Sequence, residues 1–390
     1  MSAPPNVSSP VSSSSSNSAK RRGRLSNFWF RVSEGRAIDD LWGQFVADAQ
    51  ASYGFYGKDV DWEEVQKLSH WRRPFHIARQ FFWALMLKLS PARRVLLVIA
   101  LLLLVFSGFG VHLGDSVVLD TRTEAIAAIL LLLLLSLELA DKVIMKRDLE
   151  IAREIQNWLV PSQPPDVPGA EIAFSTRPQN SVAGDYYDAF YPTVSAAEGG
   201  KLLLVVADVA GKSVPAALLM ATMQASLRTI AGDDAPLDAL VARLNRYASA
   251  YSLDGRRFTT AILGLYDPAT GDLTYVNAGH NAPVLRRTNL SMEFLDKGGL
   301  PLGIEPSAVY ETGKVTLRAG DALILFTDGV VEAFNSDGEE FGNGRWLNAI
   351  RTLPAATANQ SLQYLMRQVD DFVGQTRQSD DITCLVFQCK

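Results

Sequence analysis

The sequence predicts an α+β fold for its C-terminal part, an antiparallel β-sandwich flanked by helices, preceded by a two-helix transmembrane hairpin and a linker helix. Three observations carry this. Runs such as "KLLLVVADVAG", "FTTAILGLYD", "LTYVNAG", "ALILFTDG" and "ITCLVFQ" are β-rich and bounded by Gly, Asp and Asn turns. The stretch "FTTAILGLYDPATGDLTYVNAG" folds one strand back on the next through a tight turn, which argues antiparallel hairpins rather than βαβ units. Upstream of both lie two long apolar runs.

Residues 1–26 carry "APPNVSSPVSSSSSNS" followed by "KRRGR". This tail offers too little apolar surface to offset its ordering entropy and reads as disordered. No apolar core follows the basic cluster, so it is not a secretory signal. Residues 27–92 read as helical and hold five of the seven tryptophans, Trp29, Trp42, Trp62, Trp71 and Trp83. The segment "HWRRPFHIARQFFWALMLKL" suits either a helix on a membrane surface or a small helical domain with a tryptophan-rich core.

Residues 93–140 form the expected hairpin, with spans at about 94–113 and 124–140. The first run, "VLLVIALLLLVFSGFGV", has no charge. The second, "AIAAILLLLLLSL", is shorter and meets Glu138, so a buried or interfacial helix is its alternative. Basic residues flank the pair outside, in "ARR" and "DKVIMKR", while the connecting "GDSVVLDTRTE" is acidic. The positive-inside rule then places both ends in the cytoplasm, as a multi-pass protein of the inner membrane. Residues 141–161 continue as a helix in which Ile144, Ile151 and Trp158 recur every seven residues, with Ile155 and Leu159 on the same face. It pairs as a homodimer coiled coil or packs singly on the next domain, and Pro161 ends it. Residues 162–390 form the globular domain.

Composition narrows the function. Among 390 residues 48% are hydrophobic and 20% charged, richer in apolar content than a fully soluble chain needs. A net charge of −5 gives no general attraction to nucleic acid, and none is expected as a partner. Two cysteines, Cys384 and Cys389, are too few for a disulfide framework and fit reduced cytosolic thiols. Four histidines, at 70, 76, 112 and 280, do not readily build a His-rich zinc site, so any metal has to be oxygen-ligated.

Oxygen ligands are where the chain is most informative. Asp185 follows "VAG", Asp208 ends "LLLVVAD", Asp328 ends "ALILFTD", and Asp380 and Asp381 open "DDITCLVF". Each alone reads as turn chemistry. Gathered at one end of a sandwich they would repel one another strongly unless a hard divalent cation neutralised them. Two such ions about 3.5–4 Å apart can activate a water and hold a phosphoryl group. No Ser/His/Asp or reactive-Cys arrangement offers a protein nucleophile.

The motifs "VAGDYYDAF", "ADVAGKSVPAALLMA", "FTTAILGLYDPATGDLTYVNAGHNAP", "GLPLGI", "LILFTDGVVEAFNSDGEEFG" and "SDDIT", in that order, resemble the PPM-type (type 2C-like) metal-dependent serine/threonine phosphatases. The branch is the bacterial one containing the sporulation stage II phosphatase and stress sigma-factor regulators. The resemblance covers roughly residues 148–390 and none of residues 1–140. It implies two Mn²⁺ or Mg²⁺ ions, with Asp185, Asp208, the backbone carbonyl of Val209, Asp328 and Asp380 as ligands and Asp208 as the bridge. A metal-activated water would attack a phosphorylated partner resembling an anti-sigma-factor antagonist. Asp188, Asp381 and His280 would support the ligands from behind, and Lys212 is a candidate contact to substrate phosphate.

Two departures stand out: Ala183 precedes Gly184-Asp185 where the family has a second glycine, and Ser213 follows Gly211-Lys212 where it has "GKG". Ser213 costs more if the position needs positive φ. The resemblance therefore leaves two readings, an active phosphatase or a weak or inactive phosphatase-fold module tethered to the membrane. A nucleotide cyclase would need only two metal acids and a phosphate-cradling Gly-rich loop, and no such loop precedes a helix.

Overall fold

The computed structural model describes residues 73–106, 111–112, 118–119, 123–192, 200–211, 214–232, 235–251, 257–354 and 356–390. The expected disordered tail, most of the tryptophan-rich region, Lys212 and Ser213 lie outside these residues. The chain divides into two units, Met1–Ala140 and Asp141–Lys390.

In the first unit α1 (Arg73–Lys88) leaves Phe75, Trp83 and Leu87 exposed. Within the first predicted span, about 94–113, α2 runs Pro91–Val105, and Val111–His112 pairs as a short strand with Val118–Leu119. At 1.5 Å per residue, its 15 residues reach roughly 22 Å, short of a bilayer core of about 30 Å. The helix stops just before "SGFG", whose glycines are poor helix formers. Ser90 and Pro91 open it with the proline at its first turn, where a missing N–H costs nothing.

The second predicted span and the linker helix form one continuous element, α3 (Thr123–Leu159). Among the described residues it is the one helix long and apolar enough to cross a membrane. No glycine or proline interrupts "AIAAILLLLLLSLELADKVIMKRDLEIAREIQNW", so nothing in the sequence stops helix propagation at the membrane edge. Ile126, Ile129, Leu132, Leu135 and Leu139 are exposed on it, as Ile99, Leu102 and Val105 are on α2. Apolar surface on this scale marks a lipid or protein contact. Arg93 donates to Glu138 at 2.9 Å, so the acid within the second apolar run is ion-paired.

The second unit is a sandwich of two sheets with helices on both outer faces. Its elements are β1 (Ala170–Arg177), β2 (Asp185–Phe190), β3 (Leu202–Val209), α4 (Val214–Ile230), α5 (Leu237–Ala250), β4 (Thr259–Asp267) and β5 (Asp272–Ala278). They continue with β6 (Val284–Arg286), β7 (Met292–Phe294), β8 (Gly298–Gly299), β9 (Gly313–Thr316), β10 (Ala322–Phe326), α6 (Gly342–Arg351), α7 (Ala358–Val373) and β11 (Ile382–Cys389). One sheet is ordered β8-β5-β4-β3-β2 with β9 also on β5, and the other β1-β11-β10-β6-β7. All pairings are antiparallel except the two-residue β8–β5 ladder.

Strand parity sorts side chains into three apolar layers. Leu202, Leu204 and Val206 of β3 meet Leu323, Leu325, Leu385 and Phe387 between the sheets. Leu203, Val205 and Ala207 point the other way, onto Met220, Leu227, Val241 and Leu244 of α4 and α5. Across the sandwich Ile324, Cys384 and Val386 pack on Trp346, Leu365 and Val369 of α6 and α7. A strand buried on both faces needs an unbroken apolar run, which is why β3 reads "LLLVVA".

Candidate metal centre

The site grows out of the inner layer, where parity continues but chemistry changes. In β3, Asp208 follows Leu202, Leu204 and Val206 on the face turned to the other sheet. In β2, Asp185 shares the inward parity of Tyr187 and Ala189. The ladder sets Asp185 directly opposite Asp208, and Asp208 directly opposite Thr260 of β4. Directly opposed residues project to the same side with Cα atoms about 5 Å apart. Two carboxylates therefore face inward side by side at one end of the sandwich.

The second sheet supplies the other wall. Thr327, just past β10, donates through Oγ1 to Asp185 Oδ2 at 2.9 Å and accepts from the Thr383 amide at 3.0 Å. Asp381, just ahead of β11, accepts from the amides of Gln179 at 2.7 Å and Gly184 at 2.6 Å. Two glycines allow the approach. A Cβ on Gly184 would lie 3.2 Å from the Val209 carbonyl oxygen and 3.2 Å from Ala216 Cβ, so this backbone rests against Val209 and α4. A Cβ on Gly329 would lie 1.9 Å from the Asp381 carbonyl oxygen, a contact only glycine permits. The turn Asp328–Val330 thus sits against the Asp380–Asp381 backbone.

Burial dominates the electrostatics. It holds the Asp185 carboxyl well above the usual carboxylate range, with the Asp208 charge adding to the effect and hydrogen bonds from Thr383 and Thr327 opposing it. Asp381 is raised for the same first reason, against the amides it accepts from. A desolvated carboxylate facing another is the arrangement that a hard divalent cation relieves. The donor set fits such an ion: two opposed carboxylates and a backbone carbonyl, all hard oxygens. Among the described residues no three or more His, Cys, Asp or Glu side chains already surround a common point.

The remaining predicted residues sort by strand face. Asp188 has the opposite parity to Asp185 and faces the α4 layer. It accepts from Arg228 Nε at 2.9 Å and Nη2 at 2.8 Å, and from the Tyr186 hydroxyl at 2.7 Å. Asp188 thus forms a strut between β2 and α4, because three residues along a strand reverse the face. Removing Arg228 would strand a fully buried charge, at about 3–5 kcal/mol. His280 Nδ1 lies 2.9 Å from Thr260 Oγ1, which links it to the Asp208 row, and burial depresses its pKa to about 4. Its backbone amide is held by Asn277 Oδ1 at 2.7 Å.

Two residues escaped the sequence reading. Thr327 looks like part of a "TDG" turn, yet it carries a hydrogen bond from one sheet to the acid of the other. Gln156 looks like a solvated helix residue, yet it is buried against Ala183. Its one sequence signal is its phase, off the Ile144/Ile151/Trp158 stripe. A cleft of about 1060 Å³ lined by Pro164, Glu171, Tyr191, Thr357 and Lys390 lies at the opposite end of β11 from this site. Glu171 and Lys390 form an ion pair there at 3.0 Å.

Comparison with known proteins agrees with this geometry. Residues 198–390 match the family described as Stage II sporulation protein E (SpoIIE). Over these residues the chain is similar to that family. Relatives include Protein IcfG of Synechocystis sp., 27% identical over 264 residues, covering 61% of this chain and 41% of that protein. Phosphoserine phosphatase RsbU of Bacillus subtilis is 28% identical over 196 residues, covering 50% of this chain and 56% of that protein. The chain thus spans about half the length of the curated relatives it matches. Among solved structures, the SiaA-PP2C domain of Pseudomonas aeruginosa shares the fold, with a TM-score of 0.54 and 20% identity over 64% of this chain and 99% of that one.

Proposed function

We propose that the chain is a membrane-anchored, metal-dependent protein phosphatase that hydrolyses phosphoserine or phosphothreonine on a signalling partner resembling an anti-sigma-factor antagonist. The observation that carries this is the opposed pair of Asp208 and the buried Asp185 at the inner-layer end of a sandwich similar to the SpoIIE family. Two Mn²⁺ or Mg²⁺ ions would supply activation of water and neutralisation of the phosphoryl oxygens. Asp185, Asp208 and the Val209 carbonyl would hold one ion, with Asp208 shared, and Asp328 and Asp380 would hold the other. Thr327 and Asp381 orient Asp185 and its loop, and Lys212 is a candidate contact to the substrate phosphate. The name of the relative RsbU supports phosphoserine as the bond cleaved.

The apolar exposed face of α3 supports an inner-membrane location with the phosphatase domain in the cytoplasm. Its exposed heptad stripe supports a homodimer through residues 141–161.

The test is hydrolysis of p-nitrophenyl phosphate by the full chain in detergent micelles with Mn²⁺. We expect turnover that EDTA removes and Mn²⁺ restores, and at least a hundredfold loss in Asp208→Asn. Turnover that ignored the chelator, or survived the substitution, would exclude the mechanism. Mn²⁺ binding without turnover would favour the tethered binding module instead.

A further inference from the structure

Gln156 sits in the last turns of α3 and is 9% exposed. Its primary amide pairs with both backbone polar groups of one residue: the Ala183 N–H donates to Oε1 at 2.9 Å, and Nε2 donates to the Ala183 carbonyl at 2.7 Å. The side chain thereby acts as an added rung of a β-ladder. At neutral charge and without titrating, an amide offers a donor and an acceptor side by side in this way, which an ionised carboxylate does not. Ala183 is itself buried, so no water replaces either bond if the amide is lost.

The place of this contact gives it consequence. Ala183 is two residues from Asp185, and the intervening Gly184 amide donates to Asp381 at 2.6 Å. The strand entering the metal centre is therefore held from two sides, by α3 at Ala183 and by the start of β11 at Gly184. The helix is tied a second time, where Gln224 Nε2 donates to the Leu159 carbonyl at 3.1 Å. On its other face Ile144, Ile151, Ile155 and Trp158 are exposed, Trp158 by 80%.

Resting on the phosphatase reading above, we infer that Gln156 is a positioning residue for the metal centre: its amide sets the register of the 183–185 strand entry and so the reach of Asp185 toward its ion. The linker helix then contributes directly to metal affinity, through one side chain. A helix that turned or slid would carry the Ala183 peptide with it or release it, and in either case would move Asp185.

The test uses the full chain in detergent micelles, with Mn²⁺ binding by calorimetry, turnover against Mn²⁺ concentration, and amide exchange of the metal-free protein. Gln156→Glu keeps the shape but sets an oxygen against the Ala183 carbonyl; Gln156→Met keeps the length and fills the same space without an amide. We expect each to bind Mn²⁺ ten- to a hundredfold more weakly, the range seen when a ligand's supporting hydrogen bond is lost. Exchange at 183–185 should accelerate, and turnover should recover in excess Mn²⁺. Gln224→Met, which frees the same helix without touching Ala183, should leave Mn²⁺ affinity within twofold.

Affinity within twofold of the parent in both Gln156 variants would overturn the assignment, as would an equal loss in Gln224→Met, which would reduce Gln156 to general helix docking. If the parent protein itself took up no Mn²⁺, the phosphatase reading and this inference would fall together. A failure confined to the variants would leave that reading standing.

Discussion

At the scale of residues, the chain's chemistry is decided by which side of a strand an oxygen falls on. Asp185 and Asp188 stand three apart in one short strand and do unrelated things. The first joins Asp208 and Thr327 at the inter-sheet end, and the second bonds Arg228 on the helix side. Tyr186 and Tyr187 project to opposite sides of the strand and are both buried, because the strand has a core on each face. His280 shows how burial sets protonation. Its pKa of about 4 in the folded chain lies below the ordinary value near 6.5, so between these values the unfolded chain binds the extra proton. Its contribution to stability is then complete above about pH 6.5 and is lost as pH falls toward 4. Urea denaturation from pH 4.5 to 7.5 should show wild-type stability falling with acid, and a shallower fall in His280→Gln. Equal slopes in the two proteins would contradict a buried neutral imidazole.

At the scale of elements, α3 is the unusual piece. Its 37 residues span roughly 55 Å, from an apolar stretch through a charged middle to the buried Gln156. Glu150 and Lys146 approach within 4.0 Å on an exposed surface, a contact worth about 0.5 kcal/mol or less. Packing rather than ion pairs must therefore hold this part of the helix in place. The exposed Ile151 and Ile155 are the natural partners of a second helix. Sedimentation of the full chain in micelles should show a dimer that Ile151→Glu with Ile155→Glu dissociates by at least tenfold. A parent chain that stays monomeric at all concentrations would exclude pairing through this stripe. The heptad pattern was legible in the sequence because it repeats. Gln156 was not, because a single polar residue on a helix carries no sign of what its face meets.

At the scale of the whole molecule, the apolar surface of the N-terminal unit and the packed sandwich of the C-terminal one call for different solvents. Ile126, Ile129, Leu132, Leu135 and Leu139 in α3 leave a continuous stripe exposed. Burying a leucine-sized side chain is worth about 1.5–3 kcal/mol, so a few such residues outweigh any single polar contact available to this helix. After cell lysis the protein should stay with membranes through alkaline carbonate and be released by detergent. Release by carbonate alone would rule out an integral span.

The α+β class and the antiparallel hairpins are legible along the chain, because strand runs bounded by Gly and Asp and a 3.6-residue helical period are local signals. Asp208 and Asp328 also stand out locally, since each ends an apolar run, and Asp380 since it opens one. Tertiary structure decided which of these acids meet. Strand register put Asp185 opposite Asp208, and close backbone approach at Gly184 and Gly329 drew the loops together. It also ended the first apolar helix at Val105 and made the second continuous with the linker. The physical reason is range. Periodicity and turn chemistry act over a few neighbouring residues, whereas Gln156 and Ala183, or Thr327 and Asp185, are distant in the chain and are joined only when the layers pack.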